Sequence, residues 1–212
     1  VLCDLHSEPP FAVVGLGTGT LAAHARPWQT VHIYEIDPLV RSLSLPPAGK
    51  RPIFTYVDDA RKRYADIHVI MGDGRLRMRA APEKHYHIIV LDAFNSDAIP
   101  VHLLTADAVG EYLDKLAEGG VLIFNTTNRF VDLKGVLANI ADHHDLVPLT
   151  YGDYDEGIPD KFGSDWVVLQ RRQLPPLLPG RPYSGFQPMT ALLNMQKWRD
   201  PRRDPRPVGT DG

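Results

Sequence analysis

Four short apolar runs, each closed by a glycine turn or an acid, constrain this chain more than any other feature. Phe11-Ala12-Val13-Val14 leads into Gly15-Leu16-Gly17-Thr18-Gly19. Val31–Tyr34 precedes Glu35, His68–Met71 precedes Gly72-Asp73-Gly74, and Ile88–Leu91 precedes Asp92. Brief apolar runs between turn signals read as strands buried on both faces, the pattern of a parallel sheet. Helical patterns separate them, so the alternation predicts a three-layer α/β domain. Each acid then falls at the carboxyl edge of one open sheet, where such folds bind ligands. A nucleoside-containing cofactor is the expected occupant.

The remaining pattern completes the sheet. Helices are expected over 20–26, 38–45 with Pro38 in the first turn, 57–65, 75–81, 105–117 and 133–141. Gly119-Gly120 is expected to end the fifth of these before a strand at 121–124. Residues 145–149 and 166–169 read as strands, and the segment between them is too short for a crossover helix. An antiparallel hairpin at the sheet edge is therefore expected. The fold predicted is Rossmann-like, a mostly parallel seven-stranded sheet with a terminal antiparallel hairpin. Residues 1–172 are read as one domain. Residues 173–212 are read as a Pro/Arg-rich extension, partly disordered, with one short helix over 190–198.

Composition narrows the classes. The chain has 212 residues, 43% of them apolar, enough for one substantial core. With 23 basic against 26 acidic residues the formal charge is −3, so no nucleic-acid partner is expected. Cys3 is the single cysteine, which rules out an intrachain disulfide. No apolar run has bilayer-spanning length, and the first residues lack a secretory pattern, so a cytoplasmic location is expected. His85, His87, His143 and His144 lack acidic partners at a fixed ligand spacing, and no metal is expected.

The candidate site can be read residue by residue. Glycines in the turn admit backbone shapes barred to other residues and let a ligand approach the main chain. Any tight strand-to-helix turn uses glycine as well, so the turn alone does not decide. Glu35, twenty residues after Gly15, stands where an acid accepts hydrogen bonds from both ribose hydroxyls. Asp73 is suited either to an adenine amine or to capping the helix that follows it. Thr20 occupies the third glycine place of a dinucleotide fingerprint, which favours an adenosyl-sulfur ligand over a diphosphate. Asn125 and Asn128 follow the fifth strand and suit either a substrate contact or a turn cap.

These stretches resemble spermidine synthase and its homologues, which share the class I methyltransferase fold. The matching segments are VVGLGTGTLAAHA at 13–25, YEIDPLV at 34–40, GDGR at 72–75, VLDAFNSDAIPVHLLT at 90–105 and GGVLIFNTTNRFVDL at 119–133. The resemblance implies that Gly15, Gly17, Thr18 and Gly19 line the methionine-like part of the cofactor. It implies that Glu35 binds ribose and that Asp73 and Gly74 flank adenine. Asp92 matches the acid that accepts a proton from the attacking amine. Asp97 matches a second loop acid that holds a cationic polyamine, and Asn95 and Ser96 could donate hydrogen bonds there. Tyr64 is a candidate ring contact. The implied co-substrate is decarboxylated S-adenosylmethionine or S-adenosylmethionine, the implied partner a small amine such as putrescine, and the implied assembly a homodimer.

Departures from the family pattern leave rivals open. Thr18 stands where aminopropyltransferases usually carry an Asp that meets the cofactor's amino end. The 212 residues hold no counterpart of the family's N-terminal β-domain. Met189–Asn194 lacks the acids of a late Thr-Asp-Asp stretch. Aminopropyl transfer is the leading expectation and N-methyl transfer the nearest rival. A non-catalytic nucleoside-binding domain follows, and a nicotinamide oxidoreductase stands last.

Overall fold

The computed structural model describes residues 8–93, 100–127, 133–154 and 163–172. Strand β1 (Phe11–Val14) is buried at all four positions, as a run with no polar residue must be. It lies between β2 (Thr30–Glu35) and β4 (Tyr86–Leu91), parallel to both. Strand β3 (Asp66–Met71) adds to β2, and β5 (Leu116–Asn125) adds to β4, again in parallel. Strands β6 (Leu146–Asp153) and β7 (Ser164–Arg171) form an antiparallel pair, with β7 seated antiparallel against β5. The order across the sheet is β3-β2-β1-β4-β5-β7-β6, seven strands with the hairpin at one edge, as expected. Described residues end at Arg172, so the expected 173–212 extension lies outside them.

Helices cover both faces. On one, α1 (Pro38–Ser44), α2 (Tyr56–Lys62) and a 3-10 helix at Thr20–His24 enclose Val13, Ala22, Ile33, Val57, Ala60 and Val90. On the other, α3 (Gly74–Met78), α4 (Ala106–Lys115) and α5 (Leu133–His143) bury Val14, Met78, Leu91, Ala108, Tyr112 and Leu137. Their starts follow local chemistry. Asp37 accepts the Leu39 N–H at 2.7 Å with Pro38 in the first turn of α1, and Thr105 accepts the Ala108 N–H at 3.1 Å to start α4.

Two expectations are corrected. The segment after Gly19 is a five-residue 3-10 helix rather than an α-helix over 20–26. Helix α4 ends at Lys115, and Gly119-Gly120 lies inside β5 rather than closing the helix. Leu116 already pairs with Tyr86, while the next pair is Val121 with Ile88. The strand therefore bulges between them, and Gly119, at φ +80°, supplies the left-handed residue that the bulge needs. Burial of Leu116 in the core competes with helical continuation and wins.

Glu111 on α4 ties α3 and α4 together. It receives two hydrogen bonds from Arg75 of α3 (2.7 and 3.1 Å) and two from Arg79 just beyond it (2.8 and 2.9 Å). Arg75 also donates to the His102 carbonyl at 3.0 Å, which pins the stretch leading into α4. The Arg79 and Arg75 guanidinium groups hold the Glu111 carboxyl down to about 2. A depressed carboxylate stabilises the fold above its unfolded value near 4.5, and that contribution fades as pH falls towards 2. Glu111→Gln should thus lower Tm by about 2–4 °C at pH 7, the response to about 1 kcal/mol in a chain of this size. Thermal melts of both proteins should converge as pH approaches 2. A constant gap across that range would contradict the assignment.

Candidate functional site

The ends of four parallel strands are knitted into one ledge. Gly15 N–H donates to the Tyr34 carbonyl, Gly72 N–H to the Glu35 carbonyl, and Asp92 N–H to the Val14 carbonyl, each at 2.8 Å. With the strand order this sets Asp73, Glu35, Gly15, Asp92 and Asn125 in succession along the carboxyl edge. The first turn and the last acid touch closely. A Cβ on Gly15 would lie 2.4 Å from the Asp92 carbonyl oxygen, and Gly15 has φ +102°. No other residue type fits there without moving the Asp92 main chain.

Glu35 is the last residue of β2 and is buried. Its Oε2 accepts the Leu16 N–H and its Oε1 accepts the Asp37 N–H, both at 2.8 Å. The carboxylate thus anchors the glycine turn as well as lying beside it. Each oxygen keeps a further lone-pair direction, so two vicinal hydroxyls can still be received. Gly17 and Thr18 at the turn's crest are exposed, while Leu16 and Gly19 are buried. Ser44 at the end of α1 donates to the Thr18 carbonyl at 3.3 Å and steadies that crest.

Asp73 does perform the capping role read as one of its alternatives. Its Oδ1 accepts the Leu76 N–H at 2.9 Å. Its Oδ2 is 2.8 Å from His102 Nε2, a contact the sequence reading missed. The signal available was only His102's place within the PVHLLT stretch, ten residues after Asp92. Partial burial opposes the charged form of Asp73, but Leu76 and His102 together hold its carboxyl below the ordinary value. The absence of a side chain at Gly74 is a packing requirement, since a Cβ there would sit 2.5 Å from Val14 Cγ1.

Asp92 follows β4 directly. Its Oδ1 accepts from Asn125 Nδ2 at 2.8 Å. Burial pushes its carboxyl above the ordinary value, and the Asn125 hydrogen bond only partly offsets this. Asn95, Asp97, Ser96 and Asn128 lie outside the described residues. Tyr64 is corrected. It precedes β3, at the opposite end of the strand from Asp73, and stacks on Trp28 with centroids 5.4 Å apart. Among the described residues no three His, Cys, Asp or Glu side chains converge as metal ligands would. No helix among them is long and apolar enough to cross a membrane.

The ledge yields a stability contrast. Gly15→Ala meets both a backbone clash and a left-handed φ, whereas Gly17, left-handed too at φ +51°, would bring its Cβ within 4 Å of nothing. Gly15→Ala should cost about 1–3 kcal/mol or more and Gly17→Ala clearly less. Urea denaturation of the two variants compares them directly. Equal losses would refute the close approach of Gly15 to Asp92.

No family model matches the chain. It is 28% identical over 170 residues to a polyamine aminopropyltransferase of Vibrio vulnificus, which covers 77% of this chain and 50% of that protein. The chain thus spans about half the length of this curated relative. A spermidine synthase solved with the transition state analogue AdoDATO superposes with TM-score 0.53 at 16% identity, over 77% of this chain and 55% of that one. Human methyltransferase-like protein 13 in complex with SAH superposes with TM-score 0.55 at 21% identity, over 96% and 86%. The chain is thus similar in sequence to polyamine aminopropyltransferases, and its fold is that of the class I methyltransferases and spermidine synthases.

Proposed function

We propose that this domain transfers an aminopropyl group from decarboxylated S-adenosylmethionine to a small diamine such as putrescine. The observation that carries this reading is Asp92. It is a partly buried carboxylate whose backbone touches the glycine turn and whose side chain is held by Asn125. Similarity to the Vibrio vulnificus aminopropyltransferase supports the reaction class.

The residues fit an adenosyl-sulfur ligand. Glu35 retains lone pairs for the ribose hydroxyls, Asp73 faces the adenine side with His102 beside it, and Gly17 and Thr18 offer an exposed main-chain crest. A bound sulfonium supplies an electrophilic carbon and a thioether leaving group. The protein then has to orient the amine and receive its proton. As the amine nitrogen bonds to that carbon and the carbon–sulfur bond breaks, Asp92 takes the proton released from nitrogen. Its raised carboxyl makes it a better proton acceptor than an ordinary Asp.

N-methyl transfer is the second reading, and Thr18 favours it. A neutral residue at the turn's crest tolerates a co-substrate carboxylate that an Asp there would repel. Product analysis with each co-substrate and a panel of small amines decides between the two. Aminopropylated product with release of 5′-methylthioadenosine is expected, and methylated product alone would sink the first reading. Asp92→Asn should lower kcat by about 10²–10⁴-fold while 5′-methylthioadenosine still binds. Activity should fall as pH drops through the raised Asp92 value, because the protonated acid cannot accept. The acid limb of the rate profile should therefore lie above the ordinary Asp value of 3.8.

A further inference from the structure

We propose that Asn125 is the positioning residue of the reacting acid, fixing Asp92 Oδ1 so that Oδ2 is the oxygen that receives the proton. The inference rests on the transfer reading above and concerns the same site. Its basis is that both ends of one side-chain amide are engaged. Asn125 Oδ1 accepts the Thr127 N–H at 3.0 Å, and Asn125 Nδ2 donates to Asp92 Oδ1 at 2.8 Å. The Thr127 N–H can only be met by an oxygen, so the amide cannot be turned over, and its donor must face the acid. Asp92 Oδ2 accepts no hydrogen bond from any other described residue.

The antiparallel hairpin supports this amide from behind. Thr126 N–H donates to the Asp165 carbonyl at 2.7 Å, and Asp165 N–H donates to Thr127 Oγ1 at 3.0 Å. The Asp165 carboxylate holds Lys134 at 2.6 Å through Oδ1 and accepts the Tyr154 hydroxyl through Oδ2. A turn clamped from β7 and α5 thus presents one fixed donor to the end of β4. A bare turn cap would need the amide oxygen alone. The nitrogen spent on Asp92 is what marks a second role.

That division of labour sets the experiment. Asn125→Asp keeps an oxygen for the Thr127 N–H and preserves shape, but it replaces the donor to Asp92 with a like charge. Asn125→Ala removes both contacts. Each is made in the full chain and checked for folding by circular dichroism and for 5′-methylthioadenosine binding. Asp92 is followed by carbon-13 NMR titration without substrate, alongside kcat, KM for the amine and the pH profile. The Asp92 titration should move upward by about one pH unit in Asn125→Ala and further in Asn125→Asp. In both, kcat should fall at least about tenfold with little change in nucleoside binding. Asn125→Asp behaving as wild type in titration and kcat would overturn the inference and leave a turn cap only. The titration requires no turnover. A shifted Asp92 in a chain whose wild type transfers neither group would refute the transfer reading while upholding the hold of Asn125 on Asp92.

Discussion

The candidate site depends on the parallel register of β3, β2, β1 and β4. Three backbone hydrogen bonds, from Gly15, Gly72 and Asp92, continue the ladder one step beyond the strands. They turn separate chain ends into one rigid ledge. Side chains far apart in sequence then meet because adjacent strands in a sheet lie about 4.8 Å apart. Glu35 shows the economy of this arrangement. The carboxylate expected to meet a ribose also binds the Leu16 N–H and thereby holds the glycine turn in register with β2. A change at Glu35 disturbs both the shape and the chemistry of the edge.

Electrostatics along the ledge are graded rather than uniform. Asp73, bonded to a backbone N–H and to His102, is driven towards its charged form despite partial burial. Asp92, partly buried with a single neutral side-chain donor among the described residues, is driven the other way. One carboxyl is thus held towards its charged form and the other away from it. The contrast arises from the number and kind of donors each carboxylate finds, since the residue type is the same. Asn125 matters in this comparison because it donates to Asp92 without carrying a charge.

The apolar runs were legible because every residue of β1 and nearly every residue of β4 is buried on both faces, a pattern with few competing explanations. Pro38 and Asp37 announced α1 through local capping chemistry. The end of α4 was misread because Gly119-Gly120 is a strong helix stop in isolation, whereas pairing of Leu116 with Tyr86 begins the strand earlier. Tyr64 was misplaced although chain connectivity puts a residue just before β3 at the amino edge of the parallel sheet, away from the acids. His102 escaped notice because its partner Asp73 is 29 residues away and the contact depends on how the stretch before α4 folds back over α3.

By itself the sequence determined the alternation of strands and helices, the carboxyl-edge position of Glu35, Asp73 and Asp92, and the hairpin at the sheet edge. All of these follow from local burial pattern and chain connectivity. Only the tertiary structure decided how those acids are bonded. It assigned Glu35 to the glycine turn, Asp73 to a helix cap and His102, and Asp92 to Asn125. The physical reason is that a hydrogen bond between distant residues is set by the crossing of chain ends in space, and no periodicity along the chain encodes which lone pair meets which donor.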